Sequence, residues 1–116
     1  MITFKSEVRA TKIYPEIFTA IVTANTVFGD VTVTSLNDGS HAGRGVDGEA
    51  IGPHYNGRAV DLRVKDLDPG IRADRIAQLR ARLTALNPKY VVLWESQGTV
   101  NEHVHVQYGH ARPIDR

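Results

Sequence analysis

Three side chains, His54, Asp61 and His105, have the donor types that a hydrolytic zinc ion takes. Such an ion is held by three protein ligands drawn from His and Asp/Glu and keeps one position open for water. The three residues lie in two short segments, Gly52-Pro-His54-Tyr-Asn-Gly57-Arg-Ala59-Val-Asp61 and Glu102-His103-Val-His105-Val. Two neutral imidazoles and one carboxylate leave the ion net positive, which brings the pKa of its water toward ~7. Glu102, three residues before His105, is the carboxylate expected to accept that water's proton and pass it to a leaving amine. His103 is expected beside the metal, holding a carbonyl oxygen or a developing oxyanion.

The surrounding sequence must bring these groups together. Residues two apart in a strand share a face, so His103 and His105 project together while Val104 and Val106 project into a core. From Arg58 to Val64 the pattern alternates, with Val60, Leu62 and Val64 on one face and Ala59, Asp61 and Arg63 on the other. If these strands are neighbours, Asp61 meets the histidine pair on one side of a sheet. Gly57 permits the bend that would return His54 over it.

The other elements follow from periodicity and punctuation. Pro15 to Phe28 has helical spacing, with Pro15 in its first turn and Gly29 as its stop. Val31 to Ser35 is β-branched and alternating, a strand. Leu36 to Pro53 holds five glycines and reads as a loop of roughly 18 residues, long enough to have a purpose. Within it, Asp38, His41 and Arg44 are candidate substrate-facing residues. Ile71 to Leu86 is an amphipathic helix, with Ile76, Leu79, Leu83 and Leu86 inward and Arg72, Arg75, Arg80 and Arg82 on a solvated face. Tyr90 to Trp94 and His103 to Tyr108 complete the strands. Glu95, ending the first of these, is a second carboxylate that could orient a ligand histidine. The expected fold is α+β: a single domain over residues 1–116, with a small, mostly antiparallel sheet and two main helices.

Composition narrows the class. At 116 residues, 41% hydrophobic and 23% charged, the chain suits one ordinary globular core. A net charge of +1 advertises neither a nucleic acid nor an anionic membrane as partner. With no cysteine, disulfides and thiolate metal sites are excluded, and any metal must be held by nitrogen and oxygen. No stretch approaches the ~18 apolar residues of a membrane span, and the N-terminus lacks a signal-peptide pattern. A protein cytoplasmic as synthesised, not inserted in a membrane, is expected.

The two segments resemble the signatures of the zinc metallopeptidases grouped with lysostaphin, the D-Ala-D-Ala metallopeptidases and the hedgehog signalling domain. The family pattern is SxHxxGxAxD followed by a late HxH. His54, Gly57, Ala59 and Asp61 match the first part, and His103-Val-His105 the second. Glu102 falls where the D-Ala-D-Ala branch has its general base. The runs from Thr34 to His41 and from Arg58 to Arg63 are most similar to small phage and prophage members, D-Ala-D-Ala carboxypeptidase-like or L-alanyl-D-glutamate peptidase-like. The likeness extends from about Val31 to Tyr108. It implies a hedgehog-like fold, Zn2+ as cofactor, peptidoglycan stem peptides as substrate, and an endolysin released to the cell wall during phage lysis. Gly52 stands where the family has Ser, and the family's substrate-binding arginine has no clear counterpart. Two other readings share the pattern: a non-catalytic virion, tail or wall-binding module that keeps the metal site, and a peptidase of small D-amino-acid dipeptides.

Overall fold

A computed structural model of the chain describes residues 1–8, 10, 12–36 and 57–109. In chain order the elements are β1 (Ile2–Phe4), α1 (Pro15–Phe28), β2 (Val31–Ser35), β3 (Ala59–Arg63), α2 (Pro69–Leu86), β4 (Tyr90–Glu95) and β5 (His103–Tyr108). Both helices start at a proline, whose missing N–H costs nothing in a first turn. Asp68 caps α2 by accepting from the Gly70 N–H at 3.1 Å. Gly29, at φ 91°, ends α1 with its N–H on the Asn25 carbonyl.

The five strands form one sheet in the order β1-β2-β3-β5-β4. Only the β1–β2 pairing is parallel; the other three are antiparallel, so the sheet is mixed. Both helices pack on the same face, and one core joins Ile17, Ala20, Ile21 and Ala24 of α1 and Ile76, Leu79 and Leu83 of α2 to Val33, Val60, Leu62, Val104 and Val106 of the sheet. The architecture is α+β, two layers deep. No helix among the described residues is long and apolar enough to cross a membrane.

Three sequence expectations need correction. Leu86 is 62% exposed rather than inward, although Leu83 in the same turn is buried. Arg72 does not belong to a solvated face, for it is half-buried and donates to the Leu67 and Lys65 carbonyls; Arg80 is exposed as expected but also donates to the Val92 carbonyl. The short β1 was not foreseen at all.

Gly57 sits at φ 73°, and a Cβ there would run into the Lys12 carbonyl oxygen. Its own carbonyl accepts from the Tyr14 N–H at 2.9 Å, which ties the entry to β3 to the start of α1. Gly57→Ala should therefore cost about 2 kcal/mol or more, combining a left-handed backbone with a steric clash. Urea denaturation measures it, and an unchanged midpoint would contradict this packing.

Tyr90, 4% exposed, donates its hydroxyl to the Glu16 carbonyl at 2.7 Å and so fastens β4 to α1. Burial, with the Glu16 carboxylate nearby, raises its pKa above the ordinary 10.0. A raised folded value favours the neutral phenol. Its contribution is whole below pH 10 and is lost as pH climbs through the folded value. Tyr90→Phe should cost about 1 kcal/mol at neutral pH. It should also reduce the fall in stability in alkali, measured by thermal melts across the alkaline range.

Candidate functional site

On the face away from the helices, β3, β5 and β4 lay their side chains in rows set by register. Arg63, His103 and Glu95 form one row; Asp61, His105 and Leu93 the next; Ala59, Gln107 and Val91 the third. Alternation supplies this: Val60, Leu62, Val104, Val106, Val92 and Trp94 are turned to the core side, and their neighbours must face the other way.

Asp61 and His105, 4% and 3% exposed, are direct cross-strand partners, with Asp61 Oδ1 3.1 Å from His105 Nδ1. His105 Nε2 lies 2.7 Å from Gln107 Oε1. The Gln107 amide nitrogen donates to the Gly109 carbonyl at 3.2 Å, which fixes which end of that amide is oxygen. An amide oxygen only accepts, so His105 Nε2 bears the proton. The other nitrogen, Nδ1, is thereby turned as a lone pair, or as a second N–H, toward the Asp61 carboxylate.

His103 repeats the arrangement with its nitrogens exchanged. Nδ1 lies 2.6 Å from the Asn101 carbonyl oxygen and must donate to it. Nε2 then faces Glu95 Oε1 at 3.0 Å and Asp61 Oδ1 at 3.7 Å. Two buried or half-buried imidazoles thus each satisfy a neutral acceptor and direct the remaining nitrogen at a carboxylate.

Of the residues predicted from sequence, Asp61, His103 and His105 come together. His54, Asp38, His41 and Arg44 lie outside the described residues. Among the described residues no three His, Asp or Glu side chains form a metal-binding group on their own. Glu102 is not brought to the histidines. It shares strand parity with Val104, and its carboxylate accepts from Arg72 Nη1 at 3.1 Å, Trp94 Nε1 at 2.8 Å and the Gly98 N–H at 3.4 Å. With both oxygens so engaged, it anchors α2 to the β4–β5 connection. The carboxylate on His103 is Glu95.

Beside the pairs opens a cleft of about 420 Å³, lined by Lys5, Thr34, Asp61, Arg63, Lys65, Val100, Asn101, Glu102 and His103. Sequence reasoning missed Lys5, Arg63 and Lys65 as site residues, and Gln107 too; only strand parity pointed to Gln107 and Arg63. No family model matches the chain, and no curated protein or solved structure resembles it at a significant level.

If Gln107 sets the His105 tautomer, Gln107→Glu keeps an acceptor at Nε2 and Gln107→Leu removes it. Ring-nitrogen NMR of the wild type should report His105 protonated at Nε2. Gln107→Glu should preserve that signature. Gln107→Leu should lose it, along with about 1 kcal/mol of stability. An unaltered His105 spectrum in the leucine variant would refute the role.

Proposed function

We propose that the chain is a zinc-dependent hydrolase of an amide bond in peptidoglycan stem peptides, D-Ala-D-Ala carboxypeptidase-like or L-alanyl-D-glutamate endopeptidase-like, with the hedgehog-like fold of that family. One observation carries the reading: Asp61 Oδ1 faces His105 Nδ1 while Gln107 holds the proton on the opposite nitrogen. A lone pair and a carboxylate oxygen 3.1 Å apart repel unless a proton or a metal ion lies with them. A hydrogen-bonded far nitrogen is also the usual device that orients a ligating histidine. In a chain without cysteine, the nitrogen and carboxylate donors on hand suit zinc.

In this reading Asp61 and His105 hold the ion together with His54. Bound zinc would make a water nucleophilic at neutral pH and polarise the scissile carbonyl. The chain's own groups do the rest. As the water oxygen bonds to the carbonyl carbon, its proton passes to the His103–Glu95 pair, which already shares one proton between Nε2 and Oε1. His103 donates through Nδ1 to the Asn101 carbonyl and so holds the pair in place. When the C–N bond breaks, the pair returns the added proton to the departing amine nitrogen. Carboxylate and amine are left, and His103 is restored. Glu102, committed to Arg72 and Trp94, takes no part and serves to place the start of β5.

Zinc content and amine release from purified peptidoglycan test this. Near one zinc per chain is expected, lost in Asp61→Ala and His105→Ala. His103→Ala should lower the rate about 10²–10⁴-fold. Glu95→Gln should also slow release, whereas Glu102→Gln should lose about 1–3 kcal/mol of stability and little rate per folded molecule. Zinc without any amine release would leave a binding module. A rate abolished in folded Glu102→Gln but intact in Glu95→Gln would return the base to Glu102.

A further inference from the structure

The cleft beside Asp61 and His103 has an unequal balance of charge. Its two carboxylates are engaged: Asp61 by the histidines, and Glu102 by Arg72 at 3.1 Å. Its three cations are not matched in this way. Among the described residues Lys5 and Lys65 make no ion pair, and Arg63 has only Asp66, at 3.9 Å and 67% exposed. The cleft is thus lined by three cations and two carboxylates, and only the carboxylates are closely paired.

The three cations come from separate segments, and the backbone beneath each is secured. Lys5 follows β1 and its N–H donates to the Val33 carbonyl at 2.9 Å. Arg63 ends β3 in the row of His103 and Glu95. The Lys65 carbonyl accepts from Arg72 Nη2 at 3.0 Å, and Arg72 is held by Glu102, which lines the same cleft. The Arg72–Glu102 pair therefore ties the Lys65 segment to the segment that carries Asn101 and His103. Cations gathered about one cleft attract an anion more strongly than the same charges dispersed.

We propose that Lys5, Arg63 and Lys65 form an anion subsite that binds a carboxylate of an acidic peptide and so places the neighbouring amide over His103 and Asp61. The inference rests on the amide-hydrolase reading for its second half; the binding itself does not need turnover.

The experiment follows binding by backbone-amide NMR, using the full chain as purified without added zinc. One ligand is a soluble stem pentapeptide with free carboxylates, one the same peptide with its carboxylates amidated, and one inorganic phosphate. Lys5→Glu/Lys65→Glu is compared with Lys89→Glu, a surface change preceding β4, at the end of the sheet away from the cleft. The free acid should bind about 10-fold or more tighter than the amidated peptide, shifting the amides of Arg63, Asn101 and His103. That preference should vanish in the double variant, persist in Lys89→Glu, and weaken with salt. Equal binding of acid and amide, or undiminished preference in the double variant, overturns the proposal. Phosphate binding as tightly as the peptide overturns the carboxylate assignment. Amine release is followed in parallel on the same chain supplied with one equivalent of zinc. Acid-selective binding without cleavage sinks the hydrolase reading and leaves the subsite, while equally rapid cleavage of the amidated peptide does the reverse.

Discussion

Two imidazole rings, each bonded through one nitrogen to a neutral acceptor, aim the other nitrogen at a carboxylate, and the far face of the sheet is organised around that contact. Gln107 and the Asn101 carbonyl decide which nitrogen is which. Neither acceptor is charged, so neither compensates the carboxylates. A buried polar contact of this kind is costly unless satisfied, and in a site that holds a cation the same cost becomes affinity.

The contact is precise because it is built on register. Asp61 and His105 are direct cross-strand partners, as are His103 and Glu95, so their separation is set by backbone ladders rather than by flexible loops. The ladders in turn depend on the opposite face, where both helices bury one apolar cluster against β2, β3, β4 and β5. At the cleft end the sheet is held by a polar node instead. Arg72 bonds to two carbonyls and to Glu102, and Glu102 also receives Trp94 and the Gly98 N–H. That node belongs to the scaffold, although it borders the site.

Much of this was legible in the sequence. The alternation through Arg58–Val64 and His103–Tyr108 places Asp61 with both histidines, and the strands duly pair. The first helix begins at Pro15 and ends at the residue before Gly29 as its punctuation indicates, whereas α2 starts at Pro69, two residues before the expected Ile71. Most of what the sequence did not disclose depends on pairings that local pattern does not contain; Glu102 is the exception. Three residues of β1 leave no periodic trace, and their parallel pairing to β2 is non-local. The arginines of α2 look like a solvated stripe, yet Arg72 and Arg80 reach backbone carbonyls beyond their own helix. Glu102 was judged by its distance in sequence from His105, although its parity already set it with Val104. Glu95 needed the β4–β5 register, which the seven intervening residues do not specify.

The same reasoning explains why two carboxylates so close together meet different partners. Glu95 and Glu102 flank the β4–β5 connection and both approach His103 in the chain, but strand parity sends them to different surroundings. Glu95 meets an imidazole, a partner that can take or give a proton near neutrality. Glu102 meets a guanidinium, a partner that cannot, in a pair only 16% and 5% exposed. A carboxylate paired with a permanent cation has its charge fixed and can bear structure. The difference between the two therefore follows from which partner each residue's face provides.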